Sequence, residues 1–143
     1  MLNLRRIQSG FTLLEVLVAV LVLSIGLLGL AGLQAHGLKT NHSAYLRSQA
    51  SMLAYDILDV LRSDRQAALN GGYNLALGDA APSGGTVPQS QLNNWLTERV
   101  ERRLPQGDGA VQVSSGRVTI TIQWNDARSG GSSSQQFIYQ TQL

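Results

Sequence analysis

An apolar run near the start of the chain constrains the fold more than any other feature. From Phe11 to Leu33 the sequence reads FTLLEVLVAVLVLSIGLLGLAGL, which is 23 residues with a single charged side chain. At ~1.5 Å per residue, a helix of this length spans roughly 35 Å, enough to cross the hydrocarbon core of a bilayer. The sequence therefore predicts a membrane-spanning helix over residues 11–33.

The basic residues predict how this helix is oriented. Arg5 and Arg6 precede the apolar run, and the next basic residue is Lys39. The positive-inside rule then leaves the short N-terminus in the cytoplasm and carries everything after residue 33 across the membrane. A cleaved secretory signal is a weaker alternative, because its apolar stretch is about 7–15 residues long and ends at a small-residue cleavage site. An ordinary single-pass anchor is the stronger alternative.

Glu15 is the feature that a plain anchor does not explain. Its carboxylate lies five residues into the apolar run, and the run contains no basic residue to pair with it. An acidic group costs roughly 2.5–3.5 kcal/mol at the centre of a membrane helix and less near an end, so such a group marks a candidate functional site. The sequence predicts that the partner of Glu15 comes from another molecule.

The segment around this glutamate resembles a known processing signal. SGFTLLE, residues 9–15, resembles the class III signal of type IV prepilins and pseudopilins. The resemblance implies that prepilin peptidase removes a leader of residues 1–10 by cutting between Gly10 and Phe11, and then methylates the new amino group of Phe11. It also implies that Glu15 meets the positive amino terminus of a neighbouring subunit and guides docking into a filament, where the apolar stretch is kept.

Residues 16–34 are similar to the apolar segment of minor pilins. Gly26, Gly29 and Gly32 recur every three residues and give one smooth helix face, which would let a neighbouring helix approach closely. Major pilins have a proline near the position of Gly32, and this chain has glycine there. The alternative, that these are ordinary glycines of a membrane helix, stays open.

Helical periodicity continues beyond the apolar run. Apolar residues recur at spacings of three and four and define one face of an amphipathic helix: Leu46, Ala50, Leu53, Ile57 and Leu61. Asp59 and Arg62 lie on the opposite side at a spacing that favours an ion pair. The pattern predicts one helix from about Phe11 to about Leu69, with residues 34–69 as its amphipathic part.

Residues 70–143 are predicted to form a small α+β head. Residues 70–91 are rich in Gly, Pro and small polar residues and predict a connecting loop. Ser90 is the predicted N-cap of a short helix that ends near Leu104 and Pro105. The apolar residues of this helix are predicted to face the core: Leu92, Trp95, Leu96, Val100 and Leu104.

Three strand signals follow. The predicted strands are Ala110–Ser114, Arg117–Asn125 and Gln135–Gln142, and a Ser115-Gly116 turn joins the first two. The second of them alternates apolar and polar residues, which predicts one buried face. A three-stranded antiparallel meander with one buried face is the simplest arrangement. The polar segment 126–134 is expected to be a mobile loop. The predicted fold class is α+β, with a long N-terminal α-helix packed on a small antiparallel β-sheet and a short extra helix, as in pilins.

Composition excludes several functions. The chain has no cysteine, so it can form neither a disulfide nor a thiolate site. Without Arg5 and Arg6, nine basic and nine acidic residues remain, which argues against a protein that grips nucleic acid. His36 and His42 lie about 600° apart around an ideal helix and make a poor metal pair. We expect no catalytic, metal or cofactor-binding residues, and Trp95 and Trp124 are expected in the core.

The resemblance implies a minor pilin that helps to initiate a type IV pilus and supports twitching and adhesion. The implied partners are the prepilin peptidase/N-methyltransferase, other minor pilins and the major pilin, the assembly platform, inner-membrane lipid and a tip adhesin, with no nucleic acid. The chain would first be a single-pass inner-membrane protein and then part of a cell-surface pilus. Two alternatives stay open: a minor pseudopilin of type II secretion, which carries the same signal, and a DNA-uptake pilin.

Overall fold

The fold is α+β, as predicted from the sequence. A computed structural model describes residues 10–143. Its elements, in chain order, are helices α1 (Leu13–Ser63), α2 (Arg65–Leu69) and α3 (Val87–Asn93), a π-helix (Asn94–Glu101), strands β1 (Asp108–Ser114) and β2 (Arg117–Trp124), a 3-10 turn (Ala127–Ser129), and strand β3 (Gln135–Gln142). The chain divides into two compact units: an N-terminal unit ending at Leu38, and a C-terminal unit, Lys39–Leu143.

The three strands form the predicted antiparallel meander in the order β1-β2-β3. Val111 of β1 lies opposite Ile120 of β2, which in turn lies opposite Tyr139 of β3. Ser115 and Gly116 join β1 to β2 with φ values of 51° and 78°, the left-handed conformation that a tight two-residue hairpin needs. The Ser-Gly pair in the sequence therefore located this turn correctly.

The core of the C-terminal unit lies between one face of α1 and one face of the sheet. All five members of the predicted apolar stripe of α1 are buried, and Ala54 and Leu58 extend that stripe. The sheet contributes alternate residues of β2, which are all buried: Val118, Ile120, Ile122 and Trp124. The 3.6-residue period of the helix and the two-residue period of the strand thus identified both layers of the core.

Trp95 connects three elements of this core. Its indole Nε1 donates a hydrogen bond of 2.9 Å to the carbonyl oxygen of Leu53 in α1. The far edge of its ring lies against Gly109 of β1, where a Cβ atom would come within 2.5 Å of the ring. The π-helix, α1 and β1 therefore meet at one side chain. The predicted core residues Leu92, Leu96, Val100 and Leu104 are also buried.

The helix boundaries differ from the prediction in two places. The long helix ends at Ser63 rather than near Leu69, because Asp64 adopts φ −121° and ψ 53°, outside the helical region, before α2 begins. The short helix is capped by Thr86 and not by Ser90. The Thr86 side chain and Gln89 form a reciprocal capping box, and Pro88 lies in the first turn.

The two predicted loops are more structured than expected. Within residues 70–91, Leu75 forms a β-bridge with Val111 beside β1. Within residues 126–134, the chain forms the 3-10 turn, and Asp126 is buried and accepts a hydrogen bond from the Ser43 hydroxyl of α1. The segment expected to be a mobile loop is therefore attached to α1, although the chain has no cysteine to clamp it.

Tyr73 gives the C-terminal unit a predictable sensitivity to high pH. Its hydroxyl is buried within hydrogen-bond distance of Gln91 and of Asp64 Oδ2, at 3.1 Å from the latter. Burial, and then the contact with Asp64, raise the pKa of Tyr73 to about 12. An unfolded tyrosine ionises near pH 10, so the folded state holds this proton more tightly. The stability that this provides is complete below about pH 10 and is lost as the pH rises towards 12.

We therefore expect the free energy of unfolding to fall between about pH 10 and 12, and to fall less steeply in Tyr73→Phe. Urea unfolding of the full chain in detergent at several pH values measures this slope. Tyr45→Phe is the matched control, since that side chain is exposed, and it should keep the wild-type slope. An identical slope in Tyr73→Phe and wild type would contradict the assignment to Tyr73.

Candidate processing and docking site

The residues of the predicted site lie at the start of α1. The backbone N–H of Glu15 donates to the Thr12 hydroxyl oxygen at 3.3 Å and to the Thr12 carbonyl at 3.1 Å. Thr12 therefore caps the helix, and the Thr-x-x-Glu spacing that signals such a cap was present in the sequence but was not used. Gly10 and Phe11 precede the helix, outside regular structure, and Phe11 is 84% exposed. The peptide bond between Gly10 and Phe11 therefore lies outside the hydrogen-bonded helix.

Glu15 occupies the first turn of α1. A carboxylate there is favoured by the unsatisfied N–H groups at the helix N-terminus, which gives it a local role that sequence analysis missed. Within residues 10–143, no basic side chain forms an ion pair with it. Phe11 and Glu15 line one surface groove together with Val16, Ala19, Val20 and Leu23. The structure thus brings two of the predicted site residues together on one apolar surface.

The apolar side chains of the N-terminal unit are not buried by any part of residues 10–143. Every large apolar residue from Phe11 to Leu38 is exposed, and the apolar window of α1 is 0% buried. The core helix of a soluble protein is mostly buried, and this stretch is not. The helix is long and apolar enough to cross a membrane, a test that a signal sequence near an N-terminus also passes. Such a surface requires lipid or other helices around it.

The glycine face of α1 is open. The helix is continuous through Gly26, Gly29 and Gly32, and a Cβ atom at any of the three would have no neighbour within 4 Å among the described residues. The polar side chain of Ser24 is satisfied within the helix, since its hydroxyl donates to the Val20 carbonyl at 2.7 Å. The three glycines therefore leave room for a neighbouring helix to approach closely at this stretch of α1.

The remaining candidates are structural. Trp95 and Trp124 are buried, as predicted, so neither ring is available to stack on nucleic acid. Two arginines in and just after the π-helix pair with acidic residues: Arg99 with Asp56 at 3.0 Å, and Arg102, which follows the helix, with Glu98 at 2.8 Å. In residues 10–143, no three His, Cys, Asp or Glu side chains are grouped so as to hold a metal ion.

Comparison with known proteins supports the processing signal. The family model of the prokaryotic N-terminal methylation motif matches residues 5–31, a span that contains Gly10, Phe11 and Glu15. No curated protein and no solved structure matches the chain. The motif and the apolar helix support a type IV pilin-like or pseudopilin protein. The motif implies processing by a prepilin peptidase and association with pilus components, and together with the helix it indicates an inner-membrane anchor.

Proposed function

We propose that this chain is a minor type IV pilin of the PilV kind, which takes part in initiating and assembling a pilus for twitching motility and adhesion. One observation carries the proposal: the span that matches the methylation motif contains Gly10, Phe11 and Glu15, and it leads into an apolar stretch of α1 that is 0% buried within residues 10–143. A chain built in this way needs lipid before assembly and neighbouring helices after it. The short C-terminal unit and the apolar run similar to that of minor pilins support the finer assignment.

Each residue of the site has a role in this proposal. Arg5 and Arg6 hold the leader on the cytoplasmic side, where the peptidase cuts between Gly10 and Phe11 and methylates the new amine of Phe11. These two arginines lie outside the described residues. Glu15 then pairs with the amino terminus of a neighbouring subunit. In a bundle of low dielectric constant, a misplaced subunit would leave two charges unpaired, so this ion pair also sets axial register.

The runner-up is a minor pseudopilin of the I type in a type II secretion system. The methylation motif supports both assignments equally, because both classes carry it. Deletion of the gene separates them when surface pili are counted and exported proteins are assayed in the same cells. Loss of pili with normal export supports the minor pilin, and loss of export with normal pili replaces it with the pseudopilin. Complementation with the wild-type gene is the control.

The cleavage site predicts a specific mass. Gly10→Glu should leave the chain at its precursor mass, because a charged side chain replaces hydrogen next to the bond that the peptidase must approach. The wild-type chain should lose residues 1–10 and gain one methyl group. Intact-mass spectrometry of membrane-extracted protein measures both. Ser9→Ala is the matched control and should be processed normally. Normal processing of Gly10→Glu would mean that the enzyme cuts elsewhere.

A further inference from the structure

The two edge strands of the sheet in the C-terminal unit differ in whether another segment of the chain covers their outer edge. The outer edge of β1 is covered by the chain itself: Leu75 and Val111 exchange two backbone hydrogen bonds of 2.9 Å, and the Asn74 side chain accepts one from the N–H of Val113 at 2.8 Å. The outer edge of β3 has no such cover, since no segment within residues 10–143 forms backbone hydrogen bonds with it. One edge is closed and the other is free.

The free edge also lacks the features that normally prevent strand addition. Exposed edge strands are usually short, or carry charges, proline or a bulge, because unpaired N–H and C=O groups are a template for another strand. β3 is eight residues long, QQFIYQTQ, and contains no charged residue, no proline and no glycine. Its register with β2 is unbroken from Gln135 to Gln142. The strand is therefore competent to pair along its whole length.

The apolar side chains of β3 are also less buried than those of β2. The helix-facing residues of β2 are buried, but Phe137 and Tyr139 on β3 are only half-buried. The Tyr139 ring lies 5.1 Å from the ring of Tyr55 on α1, which is itself 47% exposed. On the opposite face of β3, Ile138 is 56% exposed. Another strand beside β3 would cover these apolar side chains on both faces.

We propose that the free edge of β3 accepts an extended, uncharged segment of another protein as a fourth, antiparallel strand. Backbone hydrogen bonds supply the affinity in this mode, and alternate side chains supply the specificity. The segment places apolar side chains beside Phe137 and Tyr139 and amide or hydroxyl groups beside Gln136 and Gln140. A charged segment would find no opposite charge along β3. This inference goes beyond the proposed function, and the contacts that carry it lie in the C-terminal unit.

A second copy of the chain fits this edge less well. Pairing two β3 strands antiparallel requires a two-fold axis normal to the sheet, which reverses the helix packed on that sheet in one copy relative to the other. The chain enters each unit at Lys39, so the two-fold rotation places the two points of entry at opposite ends of the paired sheets. Two apolar segments that enter one membrane from the same side need these points to lie together. A partner that contributes only an extended segment has no such constraint.

A synthetic peptide of sequence QQFIYQTQ is a suitable probe. When it lies antiparallel to β3 and is centred on Ile138, it places Tyr139 opposite Phe137, and Gln140 opposite Gln136, with Ile138 opposite itself. Every pair then matches in chemical character. Binding of the fluorescently labelled peptide to the full chain in detergent is measured by anisotropy. The control peptide has the same sequence with alternate backbone nitrogens methylated, which removes the N–H donors of one edge.

The proposal expects saturable binding of the plain peptide and binding at least about tenfold weaker for the methylated one, which loses several backbone hydrogen bonds. Ile138→Lys should weaken binding of the plain peptide about tenfold through a charge on the edge, while Gln112→Lys on β1, also exposed, should not. Equal binding of both peptides, unchanged binding by Ile138→Lys, or no saturable binding would overturn the proposal. So would a dimer in sedimentation that Ile138→Lys dissolves, because a second copy would then be the occupant.

Discussion

Trp95→Ala should destabilise the C-terminal unit by about 3–5 kcal/mol, the cost typical of truncating a large buried aromatic side chain. The loss is expected at the upper part of this range, because the indole packs against Gly109 and donates to the Leu53 carbonyl, so the cavity would lie where α1, the π-helix and β1 meet. Denaturant unfolding of the full chain in detergent, followed by near-ultraviolet circular dichroism, measures this effect. Trp124 remains as a reporter of tertiary packing.

Trp95→Phe is the matched control for this result. Phenylalanine keeps an aromatic ring in the core but removes the N–H donor, so its cost should be smaller, near the ~1–2 kcal/mol of a lost buried hydrogen bond and a modest change in volume. Equal destabilisation by alanine and phenylalanine would mean that the hydrogen bond to Leu53, and not the packing of the ring, dominates the contribution of Trp95.

Glu15→Gln should reduce incorporation of the chain into filaments by at least about tenfold, because removal of one charge leaves the partner amine unpaired in a medium of low dielectric constant. Membrane insertion and cleavage after Gly10 should be retained, since the neutral side chain makes the helix more apolar. The ratio of epitope-tagged subunit in sheared filaments to that in the membrane measures incorporation, and intact mass measures cleavage.

Glu15→Asp is the control that separates charge from shape. It keeps the negative charge on a shorter side chain, so it should retain part of the incorporation that Glu15→Gln loses. If Glu15→Gln enters filaments as efficiently as wild type, the carboxylate does not guide docking, and its only remaining role is the local one at the N-terminus of α1. That outcome would leave the assignment of the cleavage site unchanged.

The elements predicted best are those in which sequence period and burial agree. The alternation in β2 and the Ser115-Gly116 turn located the hairpin, and the stripe from Leu46 to Leu61 located the core face of α1. The half-burial of β3 was not predictable in this way. The sequence of β3 alternates less regularly than that of β2, since Phe137, Ile138 and Tyr139 are consecutive apolar residues. How deeply such a strand is buried also depends on how many strands lie beyond it, which is a property of the whole sheet.

The two helix boundaries that were predicted wrongly have different causes. The capping box at Thr86 could have been identified from Thr-x-x-Gln and Pro88, but Ser90 matched the generic N-cap preference and was chosen instead. The break at Asp64 has no comparable signal. Asp64 follows a regular helical pattern, and its non-helical backbone accompanies a contact with Tyr73, which is nine residues away and whose position depends on the folded unit.

The candidate site is a linear motif, so its residues are predictions that come from the sequence, and the matched span contains them. The structure added the Thr12 cap and the shared groove of Phe11 and Glu15. The partner of Glu15 could not be identified from a single chain by either route. An ion pair between subunits would be visible in one subunit only as a charge without an ion-pair partner on an apolar surface, and within residues 10–143 Glu15 is such a charge.

All buried positions of α1 lie at Leu46 or beyond, inside the compact unit that begins at Lys39. Selection can therefore act on the two stretches of this helix under separate rules. Before Lys39, an exchange among apolar residues leaves the folded core unchanged and affects only contacts with lipid and neighbouring helices. After Leu46, the same exchange changes the packing of the chain's own core. One continuous helix is thus free to evolve as two modules.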